Sequence, residues 1–220
     1  MLYWPDIDTV LLDMDGTLLD LHFDTYFWLE HLPLRYAQIH ALEPDEARAW
    51  LHQRIIAEKG TLNWYCLDYW SRELNVDIVQ LKEEIAERIA FRPYVQDFLA
   101  RLRSENIRAV IVTNAHRGSL NLKIRKTGID QLVDHVISSH DYQLPKEDPM
   151  FWQRLQQEEP FDAERTLLID DSLPVLESAR QYGIRHLLSI VQPDSQQPAR
   201  SIEQFRSIGH FDELSPSKKI

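Results

Sequence analysis

Four short segments carry the residues with chemistry in them: Asp13-Met14-Asp15-Gly16-Thr17, Thr113-Asn114, Lys146 and Asp170-Asp171-Ser172. Gathered carboxylates repel one another, by about 4 kcal/mol for a pair ~4 Å apart at an effective dielectric near 20, unless a cation sits among them. All-oxygen donors without His select a hard ion that keeps several waters, and Mg²⁺ answers that description. Such an ion at Asp13, Asp170 and Asp171, together with Lys146, would also offset the charge of a phosphate, which otherwise bars the approach of a carboxylate. Thr113 and Asn114 add neutral donors for the phosphate oxygens. Asp13 and Asp15 stand two apart, so both can face one cavity, and Gly16 lets the chain turn beside them. The pair suits covalent phosphoryl transfer: Asp13 attacks, while Asp15 protonates the leaving oxygen and then activates water.

These segments need a scaffold that brings them together. Near-continuous apolar runs at Thr9 to Asp13, Ile107 to Thr113, His135 to Ser139, Arg165 to Asp170 and Arg185 to Val191 read as strands covered on both faces, hence a parallel sheet. Helical stretches at Tyr94 to Glu105, His116 to Thr127, Asp148 to Glu158 and Leu173 to Tyr182 alternate with the later strands. The expectation is an α/β fold, a doubly wound, Rossmann-like parallel sheet, in which ligands bind outside the carboxyl ends of the strands. The four segments end or follow strands and therefore share that edge. Between the first two strands, from Leu21 to Phe91, four helical segments and no strand are expected, which is too long for a loop. The chain thus divides into an α/β core of residues 1–20 and 92–220 and an all-helical inserted cap of residues 21–91. A linker near Gln192 to Pro198 bounds a C-terminal tail.

Composition narrows the function. In 220 residues, 24 basic against 35 acidic side chains give a net charge of −11, with no long Lys/Arg cluster, which argues against a nucleic acid polymer or a membrane surface as partner. Neither GxGxxG nor GxxxxGK[ST] occurs, which removes dinucleotide and P-loop readings. The opening MLYWPDID lacks the positive charge of a signal peptide, no apolar run reaches the ~18 residues of a membrane span, and a cytoplasmic, soluble and unprocessed protein is expected. The single Cys66 rules out a disulfide within the chain, is expected to exclude any thiolate zinc cluster, since those need paired cysteines, and reads as packing filler. The 9 His residues form no HxH or HExxH pair; His116, two residues past Asn114, is the one placed to face a phosphate. Glu83-Glu84 and Lys218-Lys219 read as solvated.

The motif set resembles the haloacid dehalogenase-like (HAD) superfamily of phosphatases: VLLDMDGTLLD its first motif, VTN its second, Lys146 its third and LLIDDS its fourth. The resemblance implies a phosphorylated Asp13, an acid/base Asp15 that also lends its backbone carbonyl to Mg²⁺, a metal site completed by Asp170 and Asp171, and a C1-type cap in the insert. Where many relatives carry a further Asp four residues past the metal-binding one, this chain has Val175, which leaves the division of labour between Asp170 and Asp171 open. The segments LLDMDGTLLDL, TLNWYCLDYW, LPKED and ERTLLIDDS further resemble the bacterial GMP/IMP nucleotidase subgroup. That likeness implies a purine nucleoside monophosphate as the small phosphate-ester substrate, with cap residues choosing it. Trp64, Tyr65, Tyr69 and Trp70 offer a stacking face, with Asn63 or Asp68 reading the edge of the base. The alternatives are a phosphatase or phosphomutase acting on sugar phosphates and, from another class, a phosphorylatable receiver-like regulator, which lacks a helical cap.

Overall fold

β1 (Thr9–Leu12) is buried at every residue, as a strand covered on both faces must be. In this computed structural model, which describes residues 2–217, Lys218 and Lys219 lie outside the described residues. β2 (Arg108–Thr113), β3 (His135–Ser138), β4 (Thr166–Asp170), β5 (His186–Ile190) and β6 (Ser207–Ile208) join β1 in one parallel sheet of order β3-β2-β1-β4-β5-β6. The order places the ends of β1, β2 and β4 side by side at its centre.

Between β1 and β2 come α1 (His22–Tyr26), α2 (Leu32–His40), α3 (Pro44–Ala57), α4 (Leu62–Tyr65), α5 (Leu67–Leu74), α6 (Ile78–Glu83) and then α7 (Val95–Ser104). α8 (Arg117–Thr127), α9 (Pro149–Glu158) and α10 (Leu173–Tyr182) alternate with the later strands. Because side chains alternate along a strand, the sheet feeds two cores. Val10, Leu12, Ile111 and Ile169 pack with Phe98, Leu102 and Leu120 on one face, and Leu11, Val110, Val112 and Leu168 with Trp152, Leu155 and Leu176 on the other. The chain after β5 is no mere tail. β6 extends the sheet, and Phe205, Ile208, Phe211 and Leu214 are buried; a two-residue strand is too short to leave a periodic signal in sequence.

The helices from α1 to α6 build a core of their own from Phe23, Phe27, Leu51, Trp70, Leu74, Ile78 and Leu81, and Leu122 of α8 joins it. This shared residue docks the cap on the sheet's helical layer. α1 continues into α2 through a π turn, Phe27–His31. Pro33, in the first turn of α2, has no N–H for the Leu29 carbonyl four residues back, and its ring crowds that group. Arg48 of α3 donates to the orphaned carbonyl instead, at 2.9 Å. The π turn thereby leaves Leu29 exposed at the mouth of the cavity described below.

Candidate active site

Asp13 follows the last residue of β1, and Asp170 is the last of β4, the neighbouring strand. Lys146, 1% exposed, donates from Nζ to Asp13 Oδ1 at 2.7 Å, to Asp170 Oδ2 at 2.7 Å and to the Val112 carbonyl at 2.9 Å. Three acceptors use all three protons of the ammonium. Burial keeps the Asp13 carboxyl up at about 6, against the pull of Lys146. For Asp171, burial together with the charges of Asp13 and Asp170 pushes the pKa well above the ordinary carboxylate range. Asp13 Oδ2 is buried with no hydrogen-bond partner among the described residues. One carboxylate oxygen from each of Asp13, Asp170 and Asp171 lies within 4.8 Å of the others. Three acids served by one lysine, one of them with an orphaned oxygen, fit a hard divalent cation. Asp170 has both oxygens engaged, by Lys146 and by the Ser172 backbone N–H at 2.9 Å; Asp171 has no such partners and is the freer ligand.

Asp15 faces a different lysine. Lys123 Nζ of α8 stands 2.7 Å from Asp15 Oδ1 and 2.6 Å from Asp24 Oδ2, while Lys82 Nζ of α6 donates to Asp24 Oδ1 at 2.6 Å. The row Asp15, Lys123, Asp24, Lys82 alternates in charge and runs from core to cap. Lys82 also lies over the rings of Phe23 and Phe27, 4.8 and 4.5 Å from their centroids. Burial works against the Lys123 ammonium, but Asp15 and Asp24 outweigh it and raise its pKa. Burial holds Asp15 at about 6 despite Lys123. That value leaves it able to give or take a proton near neutrality.

β2 ends on Thr113, whose Oγ1 accepts the Ala115 N–H at 3.0 Å. Asn114 accepts the Lys146 N–H at 2.9 Å and donates to Glu147 at 2.9 Å. Tyr65 of the cap donates to the same Glu147 at 2.7 Å, so the cap is latched beside the acid cluster. A cavity of about 970 Å³ joins Asp13, Asp15, Thr113, Asn114, Lys146, Asp170 and Asp171 to cap residues Trp28, Pro33, Ile55 and Trp64. One end is acidic and the other apolar.

Residues 7–183 match the haloacid dehalogenase-like hydrolases. The chain belongs to that family. It is 40% identical over 214 residues to a GMP/IMP nucleotidase of Escherichia coli (strain K12), covering 97% of this chain and 96% of the relative, with the same figures for its Shigella flexneri counterpart. Among solved structures, a HAD phosphatase from Thermococcus onnurineus superposes with a TM-score of 0.80 at 19% identity, covering 97% of this chain and 100% of that one. A putative beta-phosphoglucomutase from Thermotoga maritima follows the same fold, with a TM-score of 0.62, 20% identity and coverages of 84% and 86%.

In this HAD-like hydrolase the cap residues expected at the substrate separate into two groups. Trp64, Tyr65 and, from the core, His116 line the cavity. Asn63 and Asp68 are exposed and do not line it: Asn63 donates to Glu58 at 3.2 Å, and Asp68 lies 3.5 Å from His116. Trp70 is 1% exposed in the core of the cap, edge-on to Trp28, and Tyr69 donates to Glu58. Trp28, Asp24, Lys82, Lys123 and Glu147 escaped the sequence reading. Trp28 falls in a helical apolar pattern and reads as packing, and the charged four gain meaning only from partners at least 33 residues away in the chain. Among the described residues no helix is long and apolar enough to cross a membrane.

Gly16 adopts φ +91°, and a Cβ there would meet Asp171 Cγ and Pro193 Cβ, each at 2.9 Å. Gly16→Ala is therefore expected to cost about 1–3 kcal/mol through strain and overpacking, and to displace the Asp171 carboxylate. Chemical denaturation and the divalent-ion concentration for half-maximal activity should both report it. Unchanged values in both would contradict the close approach.

Proposed function

We propose that this hydrolase is a Mg²⁺-dependent phosphomonoesterase acting on purine nucleoside 5′-monophosphates, GMP and IMP foremost, through an aspartyl-phosphate on Asp13. The single observation that supports it most is the cavity, which joins a phosphate-handling end at Asp13 and Lys146 to an apolar cap wall at Trp28 and Trp64. Its volume suits a nucleotide, and the name of the 40% identical relative points the same way.

Thr113 and Asn114 bind the phosphate oxygens, and Lys146 joins them by giving up one of its contacts to the aspartates. An Asp13 oxygen attacks phosphorus while the bond to the ester oxygen breaks, and Asp15, protonated, gives its proton to that departing oxygen, which leaves as a hydroxyl. Asp15, now a carboxylate, takes a proton from water whose oxygen attacks the phosphorus. The Asp13–phosphorus bond breaks, and inorganic phosphate leaves with both aspartates restored. Mg²⁺ held by Asp13, Asp171, Asp170 and the Asp15 backbone carbonyl would supply neutralisation of the phosphate charge. The cap, residues 21–91, excludes water from this end, with the base against Trp28 and Trp64 and His116 beside the substrate.

A panel of GMP, IMP, AMP, several sugar phosphates and p-nitrophenyl phosphate with Mg²⁺ tests the reading. GMP and IMP should exceed p-nitrophenyl phosphate by at least about 100-fold in kcat/KM, or ~2.7 kcal/mol of transition-state binding gained from the base and ribose. Preference for sugar phosphates over every purine nucleotide would overturn the substrate, and failure to hydrolyse any ester would overturn the activity.

A further inference from the structure

We propose that Cys66, His116 and His140 form a zinc site that staples the cap to the α/β core. The three come from separate segments. Cys66 lies in the cap between α4 and α5, His116 precedes α8 after β2, and His140 sits in the 3-10 turn after β3. One donor atom from each lies within 4.8 Å of the other two. Ligands at ordinary zinc bond lengths stand about 3.3–3.8 Å apart in a tetrahedron, so a closure of roughly 1 Å assembles the site.

His140 is 8% exposed, and its Nε2 is buried with no hydrogen-bond partner among the described residues. The Asn114 backbone hydrogen-bonds its ring, the arrangement by which protein groups orient a ligating imidazole. With one ring nitrogen held by the backbone, Nε2 is the nitrogen left to face a metal. Cys66 is half-buried, and its sulfur accepts the Tyr69 N–H at 3.4 Å. The fourth position is left to water, as in zinc sites with three protein ligands.

A thiolate and two imidazoles favour zinc, whereas the all-oxygen set at Asp13 favours a harder ion, so the two sites sort their metals by chemistry. Binding converts the Cys66 thiol to a thiolate and releases its proton to solvent. With one ligand on the cap and two on the core, the bound ion holds the cap shut over the cavity, slowing exchange of substrate and product. This consequence for turnover rests on the phosphatase reading; the metal site does not.

The test uses the full chain stripped of metal, with Mg²⁺ then restored. Zn²⁺ should bind at one per chain and lower kcat about tenfold or more. Co²⁺ in its place should give a thiolate-to-cobalt charge-transfer band. Cys66→Ser and His140→Asn, neither of which lines the cavity, should each lose the band, weaken zinc at least tenfold and keep their activity in zinc, while Asp171→Asn should retain the band. A wild-type protein without the band, or zinc binding and inhibition unaltered in both Cys66→Ser and His140→Asn, would overturn the site and place the zinc effect at the acid cluster. Absence of activity on every ester would defeat the proposed function alone, since the cobalt spectrum is read without substrate.

Discussion

Asp13→Asn is expected to lower kcat by at least about 10³-fold with every substrate, a loss of roughly 4 kcal/mol or more of transition-state stabilisation, while the protein stays folded. An amide oxygen is a far poorer nucleophile than a carboxylate, and Asp170, the other carboxylate on Lys146, has both oxygens engaged. The fold should tolerate the change because the native carboxylate is costly where it stands. Burial raises its pKa from 3.8 to about 6, so its ionised form is less stable in the folded chain than in the unfolded one. The sign follows: Asp13 favours the folded state fully below about pH 4 and loses that contribution as the pH rises through 6. Without divalent ions, the Asn variant should therefore melt at or above the wild-type temperature at pH 7. With Mg²⁺, the wild type should gain more stability than the variant, which has lost an ionised ligand. Calorimetry with and without Mg²⁺, beside steady-state kinetics, checks both halves; a variant retaining a tenth of wild-type kcat would remove Asp13 from the nucleophile's role.

Lys123→Met is expected to destabilise the protein by about 3–5 kcal/mol, because it strips a buried cation from between two carboxylates. Lys82 still reaches Asp24, but Asp15 is left with no basic partner. Lys123 now holds the Asp15 pKa down against burial, so its loss moves that pKa above 6. The acidic limb of the pH–rate profile, below which Asp15 cannot take a proton from water, should move to higher pH. Lys123→Arg, which keeps the charge, should restore the limb more than the stability, since the site is packed around the rings of Phe23 and its neighbours. Equal denaturation midpoints and superimposable profiles for wild type and Lys123→Met would show that the charge row from core to cap does neither task.

Much of the acid cluster was legible because topology carries it. In a parallel sheet every strand delivers its carboxyl end to the same edge, so Asp13, Thr113 and Asp170 meet once three apolar runs are recognised as strands. Lys146 sits on a loop, yet an ammonium near three acids has an evident partner. The cap wall was legible only in part. Trp64 and Tyr65 reach the cavity, while the helical spacing that made Trp70 look like a stacking surface is the spacing that buries it.

The sequence alone determined the parallel α/β sheet, the helical insert after β1 and the set of acids and donors at one sheet edge, because periodicity and strand order are local properties that a chain writes along itself. The tertiary structure decided what crosses between cap and core. Leu122 enters the cap's core, Lys123 joins Asp15 to Asp24, Tyr65 reaches Glu147, and Cys66 comes beside His116 and His140. Each of these depends on where one packed unit settles against another. That docking is set by the summed fit of two surfaces, for which no spacing between residues in the chain gives a signal.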